Sequence, residues 1–336
     1  THDTPTTMLL TLTASCLKGM LLPTGRSKKP KMEMMDLPAF TRDSLGLSGF
    51  NLSTDLLVGA DRAKLEAIRE RTDRASCSCL LLIEPEPQHF GARDEKKLAA
   101  AVQRMTNVID AAHLLGCSAA SMKIEAPDDD ETLVRVAKAL KPIMDRAERN
   151  DINLALSPHA GLTYRPERVT ELLKKVGGFR IGTYPDFQTA HLYGEGKPEG
   201  AVGYLHRLTP YASAVCVSTT GFGVPGKTKG KAKNPSPAPA LAIVAPETIL
   251  EPRASVHVEY DLRPMLDAVR SVGYDGPLAL DYRGPGDVPA GLRLARSNVL
   301  TALGADDLDD MDEELDDIMA ELEAEDAAGL EDEEKP

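Results

Sequence analysis

The chain has 336 residues and a formal charge of −13, but seventeen of its 52 acids fall within 306–334, so residues 306–336 carry −16 and residues 1–305 about +3. A near-neutral body with no Trp and an acidic tail is a poor match to nucleic acid, and no run of about 18 apolar residues exists to span a membrane. Five cysteines (Cys16, Cys77, Cys79, Cys117, Cys216) form an odd set inside apolar segments, and residues 1–7 lack the basic-then-apolar order of a secretion signal, so a reduced, cytoplasmic setting is expected.

In chain order, short apolar runs predict strands at 9–13, 49–53, 79–84, 119–125, 152–157, 179–184, 212–218 and 277–281. Amphipathic spacing predicts helices between them. One covers 33–45 and stops at Gly46, and one covers 61–72 behind an acidic N-cap. The segment 94–115 carries Leu98, Val102, Met105, Val108, Ile109 and Leu115 on one face and ends at Gly116. Further helices are expected at 130–149, at 166–176 with Pro166 in the first turn, and at 260–272 before Gly273. Eight strands alternating with helices predict a single (β/α)8 TIM barrel over residues 1–305, with a doubly wound open sheet as the alternative.

Three segments interrupt that rhythm. Residues 25–31 (GRSKKPK) are basic, and a Lys-, Gly- and Pro-rich insertion at about 221–255 contains GKTKGKAKNPSPAP. Both are expected in loops that follow strands, at the active face of a barrel. The third is the acidic tail, 306–336, in which Leu308, Met311, Leu315, Ile318 and Leu322 keep a 3,4 spacing. It reads either as a disordered solubilising tail or as a helix that folds on a basic protein partner. A third reading docks it on the chain's own Arg26, Lys28, Lys29, Lys31, Lys227, Lys229, Lys231 and Lys233; those same cations would also attract a phosphorylated substrate.

Residues 258–292, VEYDLRPMLDAVRSVGYDGPLALDYRGPGDVPAGL, together with INLALSPH (152–159) and RIGTYPDF (180–187), carry a family likeness. Over about residues 34–303 the sequence resembles the xylose isomerase-like TIM-barrel superfamily, the sugar phosphate isomerase/epimerase group. The resemblance implies a divalent cation at the barrel mouth, held by carboxylates and an imidazole, and two glutamates that relay a proton between sugar carbons. It also implies a small sugar or sugar phosphate as substrate, and oligomers are common among such proteins.

Carried over residue by residue, the implied site is altered. Ser157 stands where the family has a Glu ligand, in Ser157-Pro158-His159. Asp186 is retained, with Thr189 in place of a His or Asn. Cys216 falls on the seventh-strand His, and Asp281 on the last-strand Glu. A neutral Ser157 relays no proton near pH 7 without a base, and Asp281 is shorter than Glu by about 1.5 Å. Asp186, Asp281 and Cys216 are therefore the expected metal ligands, with the thiol favouring zinc beside manganese. Asp281, Glu125 and Lys123 are the candidate catalytic groups, with a Lys123–Glu125 ion pair inside the barrel as the alternative for the latter two. His159, His89 and His191 each follow a strand and are candidate substrate contacts, or else loop surface. Cys77-x-Cys79 is expected to be buried apolar packing at the opposite face. Two functions stay open: a divergent metal-dependent isomerase, epimerase or lyase on a small sugar, and a non-catalytic barrel that acts as a binding or assembly module through its tail.

Overall fold

In the last strand of the chain, Leu278–Tyr282, the apolar Leu278, Leu280 and Tyr282 pack with the surrounding helices while Ala279 packs with a separate inner set. Side chains alternate across a strand with a period of two, so such a strand has one face toward helices and one toward a barrel axis. A computed structural model describes residues 8–23, 29–224 and 243–304 and shows this arrangement repeated eight times. The strands are Leu10–Thr13, Gly49–Ser53, Ser78–Gln88, Ala119–Ile124, Asn153–Leu156, Ile181–Thr183, Val215–Thr219 and Leu278–Tyr282.

All adjacent pairs are parallel. The sheet runs from the sixth strand back through the first to the last, and ends on the seventh. It closes between the sixth and seventh strands through the bridges Thr183–Ala212 and Asp186–Cys216, with the Cys216 N–H donating to the Pro185 carbonyl at 2.8 Å. This is a (β/α)8 barrel, and the open-sheet alternative falls. Its inner layer is built from small side chains (Ala119, Ala155, Ala214, Ala279) with Leu81, Tyr184 and Cys216. Small inward residues leave room above them, at the mouth.

The predicted helices recur with caps that explain their ends. Asp94 accepts from the Lys96 and Lys97 N–H groups to start Glu95–Leu115, and Gly116 ends that helix at φ 79°, in the left-handed region glycine adopts without strain. Asp61, Asp129 and Asp261 cap Arg62–Arg74, Asp130–Arg149 and Leu262–Ser271 in the same way.

The expected helix at 33–45 is instead broken into a 3-10 turn, Met34–Asp36, a short α turn, Leu37–Ala39, and a π turn, Phe40–Ser44. Pro38 lacks the N–H that a continuous helix would need there. Three helices of seven residues or more were not visible as periodic segments: Phe187–Tyr193, Pro198–Leu208 and Val288–Leu303. The first is under two turns, and the other two carry Gly and Pro that blur the apolar spacing.

Among the described residues no helix is long and apolar enough to cross a membrane. A two-stranded antiparallel ribbon, Phe222–Gly223 with Val256–His257, stands at the two ends of the insertion. Residues 225–242, with Lys227, Lys229, Lys231 and Lys233, lie outside the described residues, as do Arg26, Lys28 and the tail 306–336.

Candidate functional site

The carboxyl ends of the strands surround a cavity of about 340 Å³. A larger groove, about 860 Å³, lies outside the barrel against Val288–Leu303 and contains none of the predicted site residues. The period-two rule sends Lys123, Tyr184, Asp281 and Arg283 to the inner face, and all four line the mouth together with Thr13, Ser53, Asp55, Ser157, Asp186 and Cys216.

Asp186, Asp281 and Cys216 converge, but on a side chain rather than on open space. The Arg283 Nη2 donates to Asp186 Oδ2 at 2.6 Å and lies 2.8 Å from Asp281 Oδ2, while its Nε donates to the same Asp281 oxygen at 2.8 Å. Cys216 Sγ is 3.7 Å from Nη2, and Nη1 donates to Gln188 Oε1 at 2.9 Å. Asp186 is committed a second time: its Oδ1 accepts from the Thr189 N–H and hydroxyl at 2.8 and 2.9 Å, capping Phe187–Tyr193.

These contacts set the charges. Burial would raise the Asp186 carboxyl, but the Arg283 guanidinium and the Thr189 donors outweigh it and hold the group below the usual range. At Asp281 burial prevails over Arg283, with Asp186 adding to it, and the carboxyl titrates above the usual range. Burial, then Asp186, pushes the Cys216 thiol well up, with Arg283 opposing. Burial opposes the charge on Arg283, but the two carboxylates keep it cationic.

The donor set does not fit a divalent ion as it stands. Zinc binds oxygen at about 2.0–2.2 Å and thiolate sulfur at about 2.3 Å. Here the three donors stand 2.6, 2.8 and 3.7 Å from a guanidinium nitrogen, the spacing of contacts to an organic cation. Among the described residues no group of three or more His, Cys, Asp or Glu is arranged to hold a metal.

Around the rest of the cavity, Thr13 meets Tyr184 and Ser53 meets Asp55, but Thr13 Oγ1, Ser53 Oγ, Asp55 Oδ1 and Tyr184 Oη are buried without a hydrogen bond of full geometry. Buried polar atoms are ordinarily well paired, so these two loosely made pairs give the cavity a polar wall.

The other sequence candidates divide. Lys123 lines the cavity and its charge acts on Asp281 and His159. Glu125 is exposed and pairs with His89 at 3.2 Å, so the Lys123–Glu125 ion pair is not the arrangement adopted. The strand ends at Ile124, which lets Glu125 turn out of the barrel. His191 packs on Tyr260 with ring centres 5.0 Å apart. His159 is lowered by burial, then by Lys123, and so is neutral near pH 7. None of the three histidines is among the residues lining the cavity. Cys77 and Cys79 are buried, and Cys79 Sγ contacts Cys117 Sγ at 3.4 Å. Arg283 is the principal residue that sequence reading missed. Its signal was Asp281-x-Arg283, two charges one strand period apart.

A family model described as xylose isomerase-like TIM barrel matches residues 43–299. No curated protein matches the sequence. Solved structures do. An L-ribulose 3-epimerase is 14% identical with a TM-score of 0.65, covering 89% of this chain and 95% of its own. The IolI protein with a bound zinc atom is 15% identical at TM-score 0.60, covering 88% and 98%. The 3-keto-D-glucoside 4-epimerase YcjR from E. coli is 11% identical at TM-score 0.59, covering 88% and 99%. At these identities the likeness is one of fold.

Proposed function

The chain belongs to the xylose isomerase-like TIM-barrel family, and on that premise we propose that its mouth binds a small sugar or sugar phosphate without the metal-assisted proton transfer that the family likeness implies. The observation that carries this reading is the polar wall of a cavity of about 340 Å³, where Thr13, Ser53, Asp55 and Tyr184 are only loosely paired among themselves. A hexose presents hydroxyls in several directions at once, and each can donate and accept, so it suits a ring of hydroxyl and carboxylate partners. The sugar epimerases of like fold support the substrate class.

The chemistry of the site supports binding over turnover. Moving a proton between sugar carbons through an enediolate needs a base that is free to take it and an electrophile that polarises the carbonyl. Ser157 supplies no base, Asp186 and Asp281 are held by Arg283, and Asp55 is held by Lys18. One observation favours a second reading, residual proton transfer: Asp281 titrates above the usual carboxyl range and lies in the cavity wall with Lys123.

Thermal melts in chelator against a panel of ketoses, aldoses and their phosphates test the proposal. A ligand held only by the native state raises the melting temperature with the logarithm of its excess over Kd. A shift with a sugar, without exchange of its carbon-bound protons into deuterated water, is the expected result. Proton exchange that depends on Asp281 selects the second reading. No shift with any sugar, with or without metal, removes both.

A further inference from the structure

We propose that Arg283, seconded by Lys123, is the resident cation of the barrel mouth, so that the site works with two fixed monovalent charges where a divalent ion would otherwise sit. The inference deepens the binding function proposed above and rests on it for what the cation is used for, but the geometry behind it stands by itself.

Three lines meet. The first is position. Arg283 Nη2 is the one point reached by all three expected ligands, at 2.6 Å from Asp186, 2.8 Å from Asp281 and 3.7 Å from Cys216. The second is charge. Asp186 and Asp281 bring two carboxyl groups to one guanidinium, while Asp55, the third carboxyl of the mouth, pairs with Lys18 at 2.6 Å. Lys123 stands in the same cavity wall and adds a second cation to it. The third is origin. Arg283 follows the last strand, and its N–H donates to the Thr219 carbonyl at the mouth. Its parity with Asp281 aims both side chains inward. A guanidinium so placed is held by five possible N–H donors, is always charged and is not removed by chelators.

The substitution changes what the site can do. A metal exchanges its ligands for substrate oxygens, whereas Arg283 offers directional N–H donors and keeps Asp186 and Asp281 engaged. The Cys216 thiol, left without a metal to ionise it, remains neutral packing. Two consequences follow: the folded chain is indifferent to divalent cations, and removing the guanidinium exposes the three donors to one.

Zinc and manganese titrations of the full chain, with no sugar present, test this. They are read by equilibrium dialysis and by the melting temperature. The variants are Arg283→Ala, Arg283→Met (which keeps the packing of the side-chain stem) and each combined with Asp186→Ala. The expected result is that zinc is not taken up by the native chain and does not shift its melting temperature, and that Asp186→Ala, which lowers the melting temperature itself, leaves this lack of response to zinc unchanged. The Arg283 variants should gain zinc uptake and a zinc-dependent rise in melting temperature that Asp186→Ala abolishes. Asp186-dependent metal uptake by the native chain overturns the proposal, because Arg283 would then yield its place. Failure of the folded Arg283 variants to take up zinc also overturns it, because the donors would not converge without the arginine. Since no sugar is used, either failure is separate from failure of the sugar screen.

Discussion

Arg283 and Asp186 lie 97 residues apart, yet the guanidinium Nη2 stands 2.6 Å from the Asp186 Oδ2. The pair spans the seam where the barrel closes, from the loop after the last strand to the cap of Phe187–Tyr193. It ties the charge at the mouth to closure of the fold, because Asp186 bridges Cys216 in the backbone and Arg283 with its side chain.

Replacing Asp186 with Asn keeps the helix cap, since Asn also accepts from N3, and removes the charge that Arg283 meets. Breaking a fully buried pair costs about 3–5 kcal/mol. The Arg283 side chain is 36% exposed, so water offsets part of this. A loss of about 2–3 kcal/mol is expected in chemical denaturation. A loss under about 0.5 kcal/mol, the scale of a surface ion pair, would contradict this account.

Tyr184→Phe separates binding from stability. The Tyr184 hydroxyl is buried and only loosely paired with Thr13, so its removal should change stability by no more than about 1 kcal/mol. If that hydroxyl meets a sugar, affinity should fall by up to about tenfold, the worth of one hydrogen bond. Titration of native and variant protein with the best sugar from the screen reads both effects. Affinity that does not change places the ligand elsewhere.

His257 should make the fold acid-sensitive. Its Nε2 accepts from the Thr220 N–H at 3.0 Å and its Nδ1 donates to the Tyr260 carbonyl at 2.9 Å, which fixes a neutral tautomer. Burial is the main cause of its lowered pKa, with the Tyr260 carbonyl opposing; Glu259 raises and His191 lowers it further. A histidine depressed in the folded state takes its proton later than the unfolded chain does. Its contribution is therefore complete above about pH 6.5 and is lost as pH falls through the folded value. Melting temperatures between about pH 7.5 and 5 should fall more steeply for the native chain than for His257→Gln. Parallel curves would exclude His257 as the source.

Gly291→Ala should destabilise despite its place in a helix. A Cβ there would lie 2.5 Å from the Tyr282 ring, which is packed between Val288–Leu303 and the last strand. Alanine gains about 1 kcal/mol of helix propensity, while overpacking costs about 1–3 kcal/mol. The expected outcome is a net loss of up to about 2 kcal/mol, with weaker ligand binding because Tyr282 precedes Arg283. A stabilised variant would show that the ring moves aside freely.

Much of this protein is written locally. The alternation Leu278–Ala279–Leu280–Asp281 declares a strand with one face for helices and one for the axis, and the eight strand segments of the sequence recur with ends moved by a few residues. Asp94 and Gly116 mark the ends of their helix because a cap and a left-handed stop depend only on neighbours in the chain. Asp281 was legible only through the family likeness, and strand parity agrees with it, as it does for Lys123 but not for Glu125.

What parity cannot decide is which inward groups meet. Cys216 and Asp186 come together through the bridge that closes the barrel, and Arg283 reaches both only because the last strand is paired with the seventh. His89 and Glu125 also follow strands, yet they pair with each other at the surface. A side chain's face follows from the strand's own period, but its partner, and with it charge and protonation, follows from the register and closure of the whole sheet.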